Sequence, residues 1–182
     1  MHSRRNFLAF WGASVALLAV PWHPAGAEES PPAAPGQTSL PLAVDLAADG
    51  GRTGAQGIPV LILFSLPGCP YCEALRRSFL TPMLAEPQPR AVLRQVDIDS
   101  SVILKDFQGR KLSHQDFATR EGIALTPVVG FYGPDGEAVA DRLVGAMLPD
   151  FYGSYLDDAL AKAAAKIRTE TEGKGGQKPS RR

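Results

Sequence analysis

Cys69 and Cys72 are the only two cysteines in the 182-residue chain, and they stand two residues apart in FSLPGCPYCEALRRSFL, residues 64–80. A pair at this spacing serves metal binding, covalent haem attachment, a fixed staple or thiol–disulfide exchange. Structural zinc takes about four Cys or His ligands. The chain has three histidines, and His2 and His23 precede the domain, so His114 alone remains to supplement the cysteines. Haem attachment requires a histidine directly after the second cysteine, where this chain has Glu73. A disulfide closing so short a loop removes little entropy from the unfolded chain, which makes it a poor stabiliser. Exchange is the chemistry that remains, with no metal and no cofactor expected.

The neighbouring residues favour that chemistry. Pro70 suits the first helical position, where no amide donor is needed. Tyr71 to Leu80 reads as a helix with Cys72, Leu75 and Phe79 on one face. Cys69 then falls at the N-cap, facing unpaired amides and the positive end of the helix dipole, both of which stabilise thiolate. Cys72 follows nearly one turn later on the same face. Cys69 is therefore the expected nucleophile and Cys72 the resolving thiol, with Pro70 and Tyr71 tuning the pair. Pro82 is expected to kink or end this helix.

The elements that must hold the pair follow from pattern. Ile58 to Phe64, IPVLILF, is a continuous apolar run and predicts a strand buried on both faces. Ala91 to Ile98 predicts a second strand, and Val102 to Leu112 a small hairpin turning at Gln108-Gly109. Ser113 with Asp116 opens a short helix to Arg120, stopped by Gly122. Pro127 to Tyr132 predicts a further buried strand, and Ala138 to Val144 its hairpin partner across Pro134-Asp135-Gly136. A last amphipathic helix starts at Pro149 and is expected to end near Ile167. Leu40 to Leu46 has no clear type, and glycine-rich Ala47 to Gly57 reads as loop, with a frayed helix as the alternative. This order predicts an α/β fold with a mixed central β-sheet flanked by helices on both faces.

Hydrophobic residues make up 45% of the chain and the formal net charge is zero, so composition fits one globular domain and gives no nucleic-acid footprint. The N-terminus is different. Arg4 and Arg5 precede an apolar run from Phe7 to Val20 and a small-residue site at Ala25-Gly26-Ala27, the order of an export signal cleaved near Ala27. The run is shorter than the about 18–20 residues that a membrane span needs. Ser3 to Leu8 resembles the twin-arginine export motif, although Ala9 replaces the usual lysine, so the general secretory route stays open. Both routes lead to an oxidising compartment, here the periplasm. The expected plan is a signal over 1–27, a Pro-rich linker over 28–39, a domain over 40–168 and a disordered tail over 169–182, with the domain a monomer.

Residues from about Pro59 to Leu160 resemble thioredoxin-fold thiol–disulfide oxidoreductases. The resemblance rests on the buried strand entering CPYC, on Thr126-Pro127 opening a later strand, on FYGPDG at residues 131–136, and on Gly145 before the last helix. The stretch DFQGRKLSHQDFATREGIALTPVVGFYGPDGEAV is similar to exported thioredoxins of the SoxW type. The resemblance implies a cis bond before Pro127, which would set Thr126 beside the disulfide to pair with a bound substrate chain. It also shows departures. Leu63 stands where cytoplasmic thioredoxins carry a buried acid, and Gly68 where they carry tryptophan. The proton-relay role is thus unassigned. Glu73 is either a relay or a solvated first-turn carboxylate, and His114 reads as a surface residue. CPYC is also a glutaredoxin sequence, but no glutathione site is readable.

The expected function is reduction of disulfides in exported partner proteins. By resemblance, its electrons come from a membrane thiol-electron transporter of the DsbD or CcdA kind. The same chemistry run backwards would make the protein a disulfide-introducing oxidase. A thioredoxin-like binding or chaperone module with incidental thiols is the reading from a different class.

Overall fold

The computed structural model describes residues 39–145 and 149–175. The export signal over 1–27, nearly all of the 28–39 linker, and the tail beyond residue 175 lie outside the described residues.

The chain enters with helix α1, Leu46–Gln56. The glycine-rich sequence of this segment reads as loop or a frayed helix, yet it is a three-turn helix because both ends are fixed. Asp45 accepts the Ala48 amide at 2.9 Å. At the other end Gly57, in the left-handed region at φ 68°, donates to the Thr53 carbonyl. Gly50 costs helix propensity, but a β-carbon there would collide with the Pro134 carbonyl oxygen. The glycine lets α1 pack directly on that turn. Asp49, buried on the same helix, receives the Arg94 guanidinium in two bonds of 2.8 and 2.6 Å and also pairs with Arg52.

Strand β1, Val60–Ser65, is buried at every position. The site-bearing segment follows as α2, Pro70–Leu75, a π-helical turn over Arg76–Leu80, and α3, Thr81–Leu84. Pro82 does not break the helix where it stands. It lacks a donor for the fourth carbonyl before it, and the backbone adjusts upstream: Thr81 bonds back to Arg76 across the wider turn. Strand β2 is Val92–Asp97, and β3, Ile103–Lys105, pairs with β4, Lys111–Ser113, as a separate hairpin. Helix α4 spans His114–Arg120, with Ser113 accepting the Asp116 amide as its cap. Strands β5, Val128–Tyr132, and β6, Ala138–Val144, form the second hairpin. Helix α5 runs Pro149–Gly175.

The main sheet has the order β2-β1-β5-β6, with β1 parallel to β2 and antiparallel to β5. The unbroken apolar run of β1 is explained by this central place. Leu61 and Leu63 face one half of the core, with Leu75, Leu80 and the inner stripe of α5. Val60, Ile62 and Phe64 face the other half, with Leu46, Phe117 and Tyr132. The α/β class with helices on both faces of a mixed sheet is thus as expected.

One boundary and one burial differ from expectation. Helix α5 passes Ile167 and continues to Gly175. Tyr152, Leu156, Leu160, Ala163 and Ile167 anchor its inner face. Once a helix is nucleated, each added residue costs little. Thr169 and Thr171 bond back to the Ala165 and Ile167 carbonyls. His114 is the second correction: it is fully buried, not on the surface. Its Nδ1 accepts the Asp97 amide at 3.2 Å while Nε2 donates to the Ala43 carbonyl at 2.9 Å. The ring ties β2, α4 and the segment around Ala43 that precedes α1 together, which helical position alone does not reveal.

Candidate active site

The buried strand β1 delivers its C-terminal end to the loop Leu66-Pro67-Gly68, where Gly68 adopts φ 73°. A left-handed residue there is easy for glycine and costly for others. The Cys69 amide bonds back to the Leu66 carbonyl at 3.2 Å, which closes the turn and aims Cys69 at the start of α2. Cys69 is the N-cap, as its position before Pro70 predicts: its Sγ accepts the Cys72 amide at 3.1 Å, and Pro70 occupies the first turn.

Cys69 and Cys72 are joined as a disulfide with their Cα atoms 5.3 Å apart. Their environments differ. Cys72 is completely buried, while Cys69 is half-buried at the rim. A partner can therefore reach Cys69 and not Cys72. Tyr71 points outward at 66% exposure, so within the motif it contributes surface rather than packing.

Thr126 and Pro127 come to this site from the N-terminal end of β5, the strand next to β1. The peptide bond between them is cis. The Thr126 hydroxyl lies 3.7 Å from Cys69 Sγ and donates toward it. Gly145 donates its amide to the Pro127 carbonyl at 2.8 Å, holding the end of β6 beside this bend. Exposed Leu125 and Val144 flank the same edge. Cys69, Pro70, Tyr71 and Cys72 are thus consecutive at the start of α2, and Thr126, joined to Pro127 by the cis bond, is the expected residue from β5 whose side chain reaches the Cys69 sulfur.

The opposite, β2 side of the disulfide carries a polar group that the sequence reading missed. An open pocket of about 570 Å³ lies there against Cys69, with Glu73, Arg76, Gln95 and Asp97 in its wall. Arg76 donates to the Glu73 carboxylate from Nε at 3.2 Å and from a terminal nitrogen at 3.0 Å. Its other terminal nitrogen donates to Ser65 Oγ at 3.0 Å and to Gln95 Oε1 at 2.9 Å. Gln95 passes its amide on to Asp97 Oδ1 at 2.7 Å. The signal for this network was present as Ser65, a polar residue closing an apolar strand, and as Arg76, one turn beyond Cys72. Its meaning needed the adjacency of β1 and β2. Leu63 is wholly buried among apolar residues, and the carboxylates in the pocket wall beside Cys69 are Glu73, held by Arg76, and Asp97.

Comparison with known proteins follows the same line. Residues 47–160 match the family model described as a thioredoxin-like domain. Among solved structures, a wild-type poplar thioredoxin h is 25% identical, covering 59% of this chain and 81% of its own, with a TM-score of 0.42. A thioredoxin-fold protein from Helicobacter pylori is 19% identical, covering 64% and 86%, with a TM-score of 0.41. A mutant thioredoxin from Halobacterium salinarum is 22% identical, covering 66% and 90%, with a TM-score of 0.43. No curated protein matches the chain.

Proposed function

The chain belongs to the thioredoxin-like domain family, and on that footing we propose that it is a dithiol–disulfide oxidoreductase that reduces disulfides in exported partner proteins. The observation that carries the reading is the asymmetry of the pair. Half-buried Cys69 caps a helix and accepts an amide hydrogen bond at its sulfur, whereas Cys72 is sealed beneath it.

The reaction starts from the reduced pair. The Cys72 amide stabilises negative charge on Cys69 Sγ, and the Thr126 hydroxyl adds a second, longer contact. The Cys69 thiolate attacks one sulfur of a partner disulfide. A Cys69–partner bond forms, the partner S–S bond breaks, and the other partner sulfur leaves as thiolate. Cys72 then gives up its proton and attacks Cys69 Sγ. The intramolecular disulfide re-forms and the second partner sulfur leaves. Two electrons have passed to the partner, whose two departing sulfurs take one proton from Cys72 and one from solvent, and it ends as a dithiol. Regeneration requires a donor dithiol, for which a membrane thiol-electron transporter facing the periplasm is the class we propose. The signal-like segment over 1–27 supports that location.

The test is exchange with a model protein disulfide. The wild-type protein is expected to reduce it catalytically in the presence of a dithiol, and Cys69→Ser to lose the activity. Cys72→Ser is expected to accumulate a mixed disulfide at Cys69. Absence of exchange by the wild type would favour a binding module. Direction is decided by the reduction potential. A value near the about −270 mV of thioredoxins supports the reductase, and one near about −120 mV assigns a disulfide donor instead.

A further inference from the structure

Cys69, Glu73 and Arg76 stand at i, i+4 and i+7 along one helical segment and line the same pocket. This spacing places them on one face. A thiolate and a carboxylate on one face oppose each other, because a nearby like charge disfavours ionisation. The pocket wall holds a second acid, Asp97, from β2. Among the described residues, the one cation in that wall is Arg76, whose side chain is only 11% exposed. It is held in place by Ser65 from β1 and Gln95 from β2 as well as by Glu73. On the outer side of Glu73, the exposed Arg77 approaches no closer than 3.9 Å. Anchored on three elements, Arg76 is a fixed charge rather than a mobile surface one.

We propose that Arg76 is a positioning residue for the redox pair: by gripping the Glu73 carboxylate beside Cys69, it cancels the charge that would otherwise oppose the Cys69 thiolate. This inference rests on the exchange reading above. It gives opposite signs for the two partners. Without Arg76, the pocket wall loses a positive charge while the acids Glu73 and Asp97 remain, so the thiolate is less stable and the disulfide more favoured. Without the Glu73 charge, Arg76 acts on Cys69 alone, the thiolate is more stable, and the pair becomes more oxidising. Loss of packing at either position would not produce opposite signs.

The experiment measures Cys69 alkylation by iodoacetamide, an uncharged probe, as a function of pH in full-length protein carrying Cys72→Ser. Arg76→Met is expected to slow alkylation at neutral pH about three- to tenfold and move the profile upward. Glu73→Gln is expected to accelerate it and move the profile downward. The double variant should return close to the parent, since each removed charge was the other's partner. Reduction potentials of the same variants with Cys72 restored should move in the matching directions, more reducing for Arg76→Met and more oxidising for Glu73→Gln. Shifts in the same direction, or two unmoved profiles, overturn the proposal. Should Arg76→Met fail to fold, Glu73→Gln at its half-exposed site decides alone, and an unmoved profile there counts against the proposal. Wild-type protein that exchanges with a model disulfide while these profiles stay fixed sinks only this inference. Wild-type protein that does not exchange sinks the reading beneath it.

Discussion

The Thr126 hydroxyl sits 3.7 Å from the sulfur of Cys69, a residue 57 positions earlier in the chain. Strand pairing brings them together: β1 ends at the loop before Cys69, and β5 begins directly after Thr126-Pro127 and runs antiparallel beside β1. The open end of the sheet thus presents one sulfur with a backbone amide on one side and a hydroxyl on the other. Thr126→Val keeps the shape and removes the donor. Sulfur is a weak acceptor, so the expected effect is small: alkylation of reduced Cys69 should slow about twofold near neutral pH, roughly 0.4 kcal/mol. A rate equal to wild type would show that the hydroxyl does not act on the thiolate.

Gly50 offers a sharper stability test because propensity and packing disagree. Gly→Ala within a helix is ordinarily stabilising by up to about 1 kcal/mol. Here the added methyl meets the Pro134 carbonyl. Gly50→Ala should destabilise by about 1–3 kcal/mol in urea unfolding, the usual cost of overpacking. Gly51→Ala, with open space around its position, should be neutral or stabilising. Equal behaviour of the two variants would refute the packing account of α1.

Asp106 links acidity to stability. Its carboxylate is buried, accepts the amides of Gln108 and Arg110 at 2.9 and 2.8 Å, and receives the Arg110 and Arg120 guanidiniums at 2.9 Å each. Burial pushes its pKa up, but the hydrogen bonds to Arg110 and Arg120 outweigh it and hold the group below the ordinary carboxylate value. A lowered folded pKa means the contribution is complete above the unfolded value of about 3.9 and fades as pH falls through the folded one. Asp106→Asn should cost about 1–2 kcal/mol at neutral pH, allowing for solvent at the exposed arginines. The gap to wild type should narrow below about pH 4. A gap independent of pH would show that the charge contributes nothing.

Tyr152 carries a buried hydroxyl with no hydrogen-bond partner among the described residues, and burial raises its pKa well above the ordinary tyrosine value. Its ring packs on Phe79 with centroids 5.1 Å apart, joining α5 to the π-helical turn. Tyr152→Phe keeps that contact and removes an unsatisfied polar group, so stability should stay level or rise by up to about 1 kcal/mol. Tyr152→Ala should cost about 3–5 kcal/mol. A marked loss in the phenylalanine variant would reveal a hydroxyl partner.

Elements whose signals are local were legible in the residues. Cys69 before Pro70 forecasts its own cap. Ser113 three residues before Asp116 forecasts the start of α4. The seven residues of β6, Ala138–Val144, follow from the turn residues before them. Signals that depend on distant neighbours misled. Ala47 to Gly57 looks too glycine-rich for more than a frayed helix until Pro134 fills the space its side chains lack. Pro82 reads as a kink or a helix end, and only the folded backbone shows that the turn at Arg76–Leu80 widens ahead of it instead of ending the helix. His114 looks superficial until Ala43, 71 residues earlier, accepts its ring proton.

The sequence by itself determined the dithiol, its order and its cap, because a sulfur, a proline and an amide three residues on interact within one helical turn. It also determined that β1 would be buried on both faces, since nothing in Val60–Phe64 can face water without loss. The tertiary structure alone decided what surrounds the sulfur. Thr126 reaches it through strand pairing, and Arg76 reaches Ser65 and Gln95 only because β1 and β2 lie side by side. Electrostatic influence depends on separation in space, and the chain fixes that separation only after it has folded.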